Sequence, residues 1–150
     1  MDVIISRVMS LAAIDSLLEQ FTPCLKSLSS GKVSRTALAE KFFRYGVVLE
    51  MTIGKNAVAF AGFYCNDTIT HCGYLSMLAV MPQYEGKGHG KKMVYEVLRH
   101  AKNAGMRELK LEVNKSNHSA ISFYKKMGFC FLPEETSETY FMNVKLHQSQ

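Results

Sequence analysis

The chain has 150 residues, 47% of them hydrophobic, with a formal net charge of +5 at neutral pH. That is enough to bury one core and too little for two comfortable domains, so a single domain over residues 1–150 is expected. The charge suits a polyanionic ligand but is too modest and too spread out to argue for nucleic acid, and no run approaches the roughly twenty apolar residues of a membrane span.

Val3 to Val8 reads as a first strand, and Asp2 and Arg7 interrupt any leader-like pattern there. The expected compartment is the cytoplasm, with no membrane or nucleic-acid partner. Ser10 then caps a helix whose buried stripe is Leu11, Ile14, Leu17, Leu18 and Phe21, ended by Thr22-Pro23. Ser27 to Ser34, with Ser-Ser-Gly at its centre, reads as a mobile loop. Ser34 caps a second helix, with Leu38, Phe42 and Phe43 on one face.

Val47 to Ile53 and Ala57 to Tyr64 are β-branched, apolar runs joined by the hairpin-type turn Gly54-Lys55-Asn56. Asn66-Asp67 turns the chain into a long strand, His71 to Met81. These three runs are expected to form the antiparallel centre of a sheet. A helix from Gly90 to Ala104 follows, with Gly105 at its C-terminal left-handed position. Glu108 to Asn114 alternates: Leu109, Leu111 and Val113 point one way, Lys110, Glu112 and Asn114 the other. Ser116 or Asn117 begins the last helix, which Gly128 ends. Phe129 to Leu132 and Thr139 to Val144 are final strands, and residues 147–150 a frayed tail. Alternating helices and strands place the fold in the α/β (α+β) class.

The four cysteines (Cys24, Cys65, Cys72, Cys130) show no C-x-x-C pair and no metal-ligand spacing, so no metal is expected. Cys65 and Cys72 flank a turn, where a hairpin disulfide is geometrically conceivable. Reduced, packed thiols are the favoured reading.

The stretch Val80 to Lys92, V-M-P-Q-Y-E-G-K-G-H-G-K-K, joins a buried strand to a helix through three alternating glycines. Glycines let backbone N–H groups approach a phosphate, and a helix N-terminus adds unpaired donors and partial positive charge. It is not a P-loop, because no register gives Gly, four residues, then Gly-Lys-Ser/Thr. Nor is it a dinucleotide fingerprint: G-x-G-x-x-G started at Gly86 or Gly88 ends on Lys91 or Met93. What fits is Gln83-x-x-Gly86-x-Gly88, with Gly90 two residues on. Further along lies L-E-V-N-K-S-N-H-S-A-I-S-F-Y-K-K-M-G-F, Leu111 to Phe129, holding Asn117, Ala120, Tyr124 and the Gly128-Phe129 pair.

Together these two motifs resemble the signature of the GNAT superfamily of N-acetyltransferases, strongly over residues 75 to 130 and only in element order before that. The resemblance implies a mixed, mostly antiparallel sheet of six to seven strands, flanked by about four helices. Strands four and five would splay around the pantetheine arm of acetyl-CoA. It implies cofactor contacts from Leu78, Ala79, Val80, Gln83, Gly86, Gly88, Gly90 and Asn117. Lys87, His89 and Lys91 would add charge around the phosphates, and Lys125-Lys126 are a lesser option for the 3′-phosphate. Glu85 stands where the family often has arginine, and its carboxylate is expected to point outward from a pyrophosphate.

Acetyl transfer to an amine needs a base for the amine and is helped by an acid for the departing thiolate. Tyr124 matches the family tyrosine near the CoA sulfur, and a core aromatic is its alternative reading. Glu112 is the candidate base, because L-E-V resembles ribosomal-protein N-terminal acetyltransferases; its alternative is an exposed carboxylate paired with Lys110 or Lys115. His71, Tyr74 and a water are rival bases. The expected acceptor is the primary amine of a small molecule (amino sugar, polyamine or amino acid derivative), with a protein N-terminus or lysine as the alternative. Glu134, Glu135 and Glu138 would favour a cationic amine if they line the acceptor mouth. A non-catalytic acyl-CoA sensor is the competing class. Many relatives are homodimers, and the sequence identifies no interface.

Overall fold

A computed structural model describes residues 2–147, so residues 148–150 of the expected frayed tail lie outside it. Chain order is β1 (Val3–Arg7), α1 (Leu11–Phe21), α2 (Lys26–Ser29), α3 (Arg35–Tyr45), β2 (Val47–Ile53), β3 (Asn56–Tyr64), β4 (Cys72–Val80), α4 (His89–Asn103), β5 (Glu108–Asn114), α5 (His118–Lys126), β6 (Cys130–Glu135) and β7 (Thr139–Lys145). Short 3₁₀ turns occupy Thr22–Cys24 and Pro82–Tyr84.

The strands form one sheet in the order β1-β2-β3-β4-β5-β7-β6. Its neighbours are antiparallel except β4 and β5, which run parallel and are therefore joined by a crossover through α4. β7 returns to insert between β5 and β6, an arrangement that strand patterns alone leave open. This is the mixed, mostly antiparallel architecture that the resemblance implies.

Side chains that alternate along each strand feed two cores. Leu49, Ala61, Phe63, Leu75, Leu109 and Leu111 pack with Met93, Val94, Val97 and Ile121 on the α4–α5 side. Val48, Phe60 and Ala79 pack with Ile14, Leu17, Leu18, Phe21 and Phe42 on the α1–α3 side. Gly62 belongs to the second contact: a Cβ there would lie 2.4 Å from Phe42 Cζ, so the ring of α3 occupies the space that a side chain would take.

Both expected helix caps form. Ser10 Oγ accepts from the Ala13 amide (3.1 Å) and Ser34 Oγ from the Ala37 amide (3.2 Å). Three expectations need correction. Leu11 is 40% exposed, since the first helical residue precedes the turn that meets the sheet. Phe43 is 49% exposed, because α3 presents Ala39 and Phe42, one i,i+3 pair, and the neighbouring residue turns away. The segment expected to be a mobile loop begins with the helical turn α2, which drives Leu28 into the core at 7% exposure.

One irregularity in β4 positions the site. The β3–β4 register runs Ala61↔Leu78 and Gly62↔Met77, then Phe63↔Leu75, so Ser76 is an extra residue, a β-bulge. It reverses side-chain parity: Leu75 and Leu78 share the α4–α5 face although they are three positions apart. The β4–β5 ladder ends at the same place, its pairs running only from Cys72↔Glu108 to Leu75↔Leu111. Above that point β4 offers its edge groups to something other than β5.

Candidate active site

Local sequence explains why α4 begins without a cap. Gly86 (φ +76°) and Gly88 (φ +84°) take left-handed conformations that an L side chain resists. Gly88 stands at the N-cap position, where it has no side chain with which to satisfy the helix end. The first intrahelical bond is Lys92 N–H to Gly88 O (3.1 Å), so the amides of His89, Gly90 and Lys91 have no intrahelical acceptor. No acidic residue lies in the first turn. The result is a concave row of N–H donors at the positive end of a 15-residue helix, suited to an anion.

From that helix end a cleft of about 660 Å³ runs along the unpaired edge of β4. Leu78, Ala79 and Val80 form one wall, and Gly86, Gly88, His89, Gly90 and Lys91 form the head. The other wall is α5, with Asn117, Ser119, Ala120, Phe123, Tyr124, Lys126 and Met127. Most of the residues expected at a cofactor site thus come together. Gln83 and Lys87 are not among the lining residues; Lys87 instead lies over the Tyr84 ring, 5.9 Å from its centroid.

His89, expected to add charge around the phosphates, lies at the head of the cleft. It is 8% exposed, its ring faces Tyr84 edge-on at 6.3 Å, and its Nδ1 is buried without a protein partner. Glu85 is exposed yet belongs to the lining, so it borders the cleft rather than standing clear of it. Tyr84, Ser119, Phe123 and Met127 were not foreseen. Ser119, Phe123 and Met127 follow one another at i,i+4 along α5 and its C-cap, so one face of the helix end forms this wall.

Asn117 caps α5, its Oδ1 accepting from the Ala120 amide (3.2 Å), while also lining the cleft. Tyr124 is half-buried between the rings of Phe123 (5.2 Å) and Phe129 (5.4 Å). Burial pushes its phenol up to about 12. The hydroxyl therefore stays protonated at neutral pH, on a side chain that lines the cleft.

Glu112 is not in the cleft. Leu111 and Val113 are buried on the α4–α5 side, so Glu112 projects from the opposite face of β5. It is the first residue beyond the last β4–β5 pair, at the fork of the two strands. Neither lysine expected to neutralise it does so: Lys110 pairs with Glu134 (3.6 Å) and Lys115 with Glu135 (2.9 Å). Thr139 Oγ1 donates to Glu112 Oε2 at 2.7 Å instead. Two of the three carboxylates expected to attract a cationic amine are thereby already paired.

Tyr74 shares the Glu112 side of the fork. Burial, and secondarily the Glu112 charge, raise its phenol above the ordinary value near 10. His71 lies at the other end of β4, held by its amide to Asp67 O (3.1 Å) and its carbonyl to the Arg107 amide (2.7 Å). Roughly 23 Å of extended strand separates it from Leu78. All four cysteines are free, and burial pushes the Cys65 and Cys72 thiols to about 11, which keeps them protonated and unreactive. Among the described residues, no group of three or more His, Cys, Asp or Glu could hold a metal ion, and no helix is long and apolar enough to cross a membrane.

Comparison with known proteins agrees with this geometry. A family model described as acetyltransferase (GNAT) family matches residues 12–129. N-alpha-acetyltransferase 30 of Schizosaccharomyces pombe is 41% identical over 58 residues, 39% of this chain and 39% of that protein. Thialysine N-epsilon-acetyltransferase of Mus musculus is 40% identical over 55 residues, 37% of this chain and 32% of that protein. The match thus spans about two fifths or less of each relative. The fold is similar to that of the PaiA N-acetyltransferase of Thermoplasma acidophilum in complex with coenzyme A, with a TM-score of 0.78 and 22% identity over 97% of this chain and 99% of that one.

Proposed function

The chain belongs to the acetyltransferase (GNAT) family, and from that premise we propose that it transfers the acetyl group of acetyl-CoA directly to a primary amine. The observation that carries this reading is the continuity of the cleft: uncapped amides at the start of α4 lead along the free edge of β4 to Tyr124. An acyl-CoA fits that sequence of groups. Its pyrophosphate would meet the amides of His89, Gly90 and Lys91, and its pantetheine amides would meet the unpaired edge at Leu78 to Val80. Coenzyme A is present in the Thermoplasma acidophilum relative, which has the same fold.

In the proposed reaction the amine nitrogen attacks the thioester carbonyl carbon, a C–N bond forms and the C–S bond breaks. The amine proton passes to Glu112 from the far face of the fork, directly or through water. The departing thiolate is met by the Tyr124 hydroxyl. A phenol near 12 is a weaker acid than a thiol near 8.5, so Tyr124 serves chiefly as a hydrogen-bond donor to the developing sulfur anion. No covalent enzyme intermediate is needed.

The acceptor reading we favour is a small amine, in line with the thialysine enzyme among the relatives. A peptide α-amine is the second reading, in line with the N-alpha-acetyltransferase. The test is thiol release from acetyl-CoA with glucosamine, spermidine, lysine, and hexapeptides bearing either a free N-terminus or only a free lysine. Turnover confined to one class assigns the acceptor. Acetyl-CoA binding with no turnover would favour a sensor, and absence of binding would end the reading.

A further inference from the structure

We propose that Thr139, backed by Thr136, is a positioning residue that holds one oxygen of Glu112 so that the other faces the acceptor amine. This rests on Glu112 acting as the base.

The hydrogen bonds around Glu112 have only one consistent direction. A carboxylate can only accept, so the single hydroxyl proton of Thr139 goes to Glu112 Oε2, at 2.7 Å. Thr139 Oγ1 also lies 2.7 Å from Thr136 Oγ1, and with its own proton committed it must be the acceptor there. Thr136 in turn donates its proton to Thr139 and accepts from the amides of Glu138 (3.2 Å) and Thr139 (2.9 Å). The chain therefore starts on fixed backbone amides, runs through two hydroxyls and ends on the carboxylate. Bonds aligned this way strengthen one another.

The amides at its origin are rigidly placed. The β6–β7 turn closes through Thr136 N–H to Thr139 O (2.9 Å), and Lys115 N–H ties Glu138 O back to the end of β5 (2.8 Å). Thr139 pairs with Asn114 in the β5–β7 ladder, which sets it diagonal to Glu112. With Oε2 tied down by a neutral donor, and Lys110 and Lys115 paired elsewhere, Oε1 is left to meet a proton from the acceptor side. A lysine on that carboxylate would have kept it ionised but weakened it as a base. A hydroxyl orients it at lower electrostatic cost.

Glu112 and Thr136 are exposed, Thr139 is half-buried and both hydrogen bonds are exposed, so their share in folding is small and their loss should register in rate. The test uses the full chain, acetyl-CoA and the amine probes named above, comparing Thr139→Val, Thr139→Ser, Glu112→Gln and the double variant Glu112→Gln/Thr139→Val. We expect Thr139→Val to lower kcat about fivefold to tenfold, with acetyl-CoA KM within about twofold and an unchanged thermal midpoint. Thr139→Ser should restore kcat, and Thr139→Val should have no further effect once Glu112 is Gln. If Glu112→Gln lowers kcat but Thr139→Val does not, or if the two losses multiply, the positioning role is overturned while the base assignment stands. If Glu112→Gln itself leaves kcat unchanged, or no amine turns over, the parent reading fails and this one with it.

Discussion

Leu75 and Leu111 form the last rung between the two parallel strands, and both the Leu78–Val80 wall of the cleft and Glu112 lie beyond it. Ser76, the residue after Leu75, is the bulge that turns β4 away. Glu112, the residue after Leu111, stands at the fork. The cleft that ends at Tyr124 approaches the same fork from the α4–α5 face. In the proposed reaction the end of this ladder separates the cofactor side from the acceptor side.

Replacing Tyr124 by Phe removes the donor near the leaving group while keeping the ring between Phe123 and Phe129. Removing one positioned donor to a developing anion costs about 10²-fold or more, and a thiolate leaves partly unaided, so a loss in kcat of about tenfold to a hundredfold is expected. Steady-state kinetics should show acetyl-CoA KM little changed. An unaltered kcat would remove Tyr124 from the chemistry.

Gly88→Ala isolates backbone conformation, because nothing lies within 4 Å of the added Cβ. Holding alanine at φ +84° costs about 1 kcal/mol. The unfolding free energy from denaturant titration should fall by that amount. Calorimetry should show a larger, separate loss of acetyl-CoA affinity, since the methyl would enter the anion cradle.

Glu85→Arg reverses a charge at the rim of the cleft. A favourable exposed pairing with a phosphate contributes on the order of 1 kcal/mol, roughly a fivefold gain in acetyl-CoA affinity. Titrations at low and high salt should show the gain shrinking as salt rises. No gain at low salt would mean that the Glu85 side chain does not sense the phosphates.

Gly62→Ala tests the packing of the α1–α3 side. With Phe42 Cζ 2.4 Å from the new Cβ, overpacking should destabilise the fold by about 1–3 kcal/mol in urea. Adding Phe42→Leu should recover part of that loss, whereas two independent, additive losses would contradict the contact.

Acid stability should depend on Glu108. Its carboxyl is held below the ordinary value near 4.5 chiefly by Lys145 Nζ (2.8 Å), with Cys72 and Asn143 adding to the effect. A carboxyl that is more acidic when folded contributes stability above its unfolded pKa and loses it as pH falls through the lower folded value. Wild type should therefore exceed Glu108→Gln in thermal midpoint at pH 7, with the difference shrinking as pH falls below the unfolded value of about 4.3. A gap that does not narrow on acidification would point to packing instead of charge.

Much of the protein was written locally. The alternation of Glu108 to Asn114, the caps at Ser10, Ser34 and Asn117, and the glycines that leave α4 uncapped depend on residues a few positions apart, and each formed where the sequence put it. The two glycine- and tyrosine-bearing motifs also placed most of the cleft-lining residues, because a strand, a turn and two helix ends carry them directly. What the chain could not announce locally needed distant partners. The Ser76 bulge exists only as a mismatch in register with β3. Phe42 is buried and Phe43 exposed because Gly62, on another strand, makes room for one ring. Glu112 escapes Lys110 and Lys115 because β7 folds back between β5 and β6, bringing Glu134, Glu135 and Thr139 alongside. Short-range sterics and hydrogen bonding set the elements, and the choice of partner for each charge waited on which strands became neighbours.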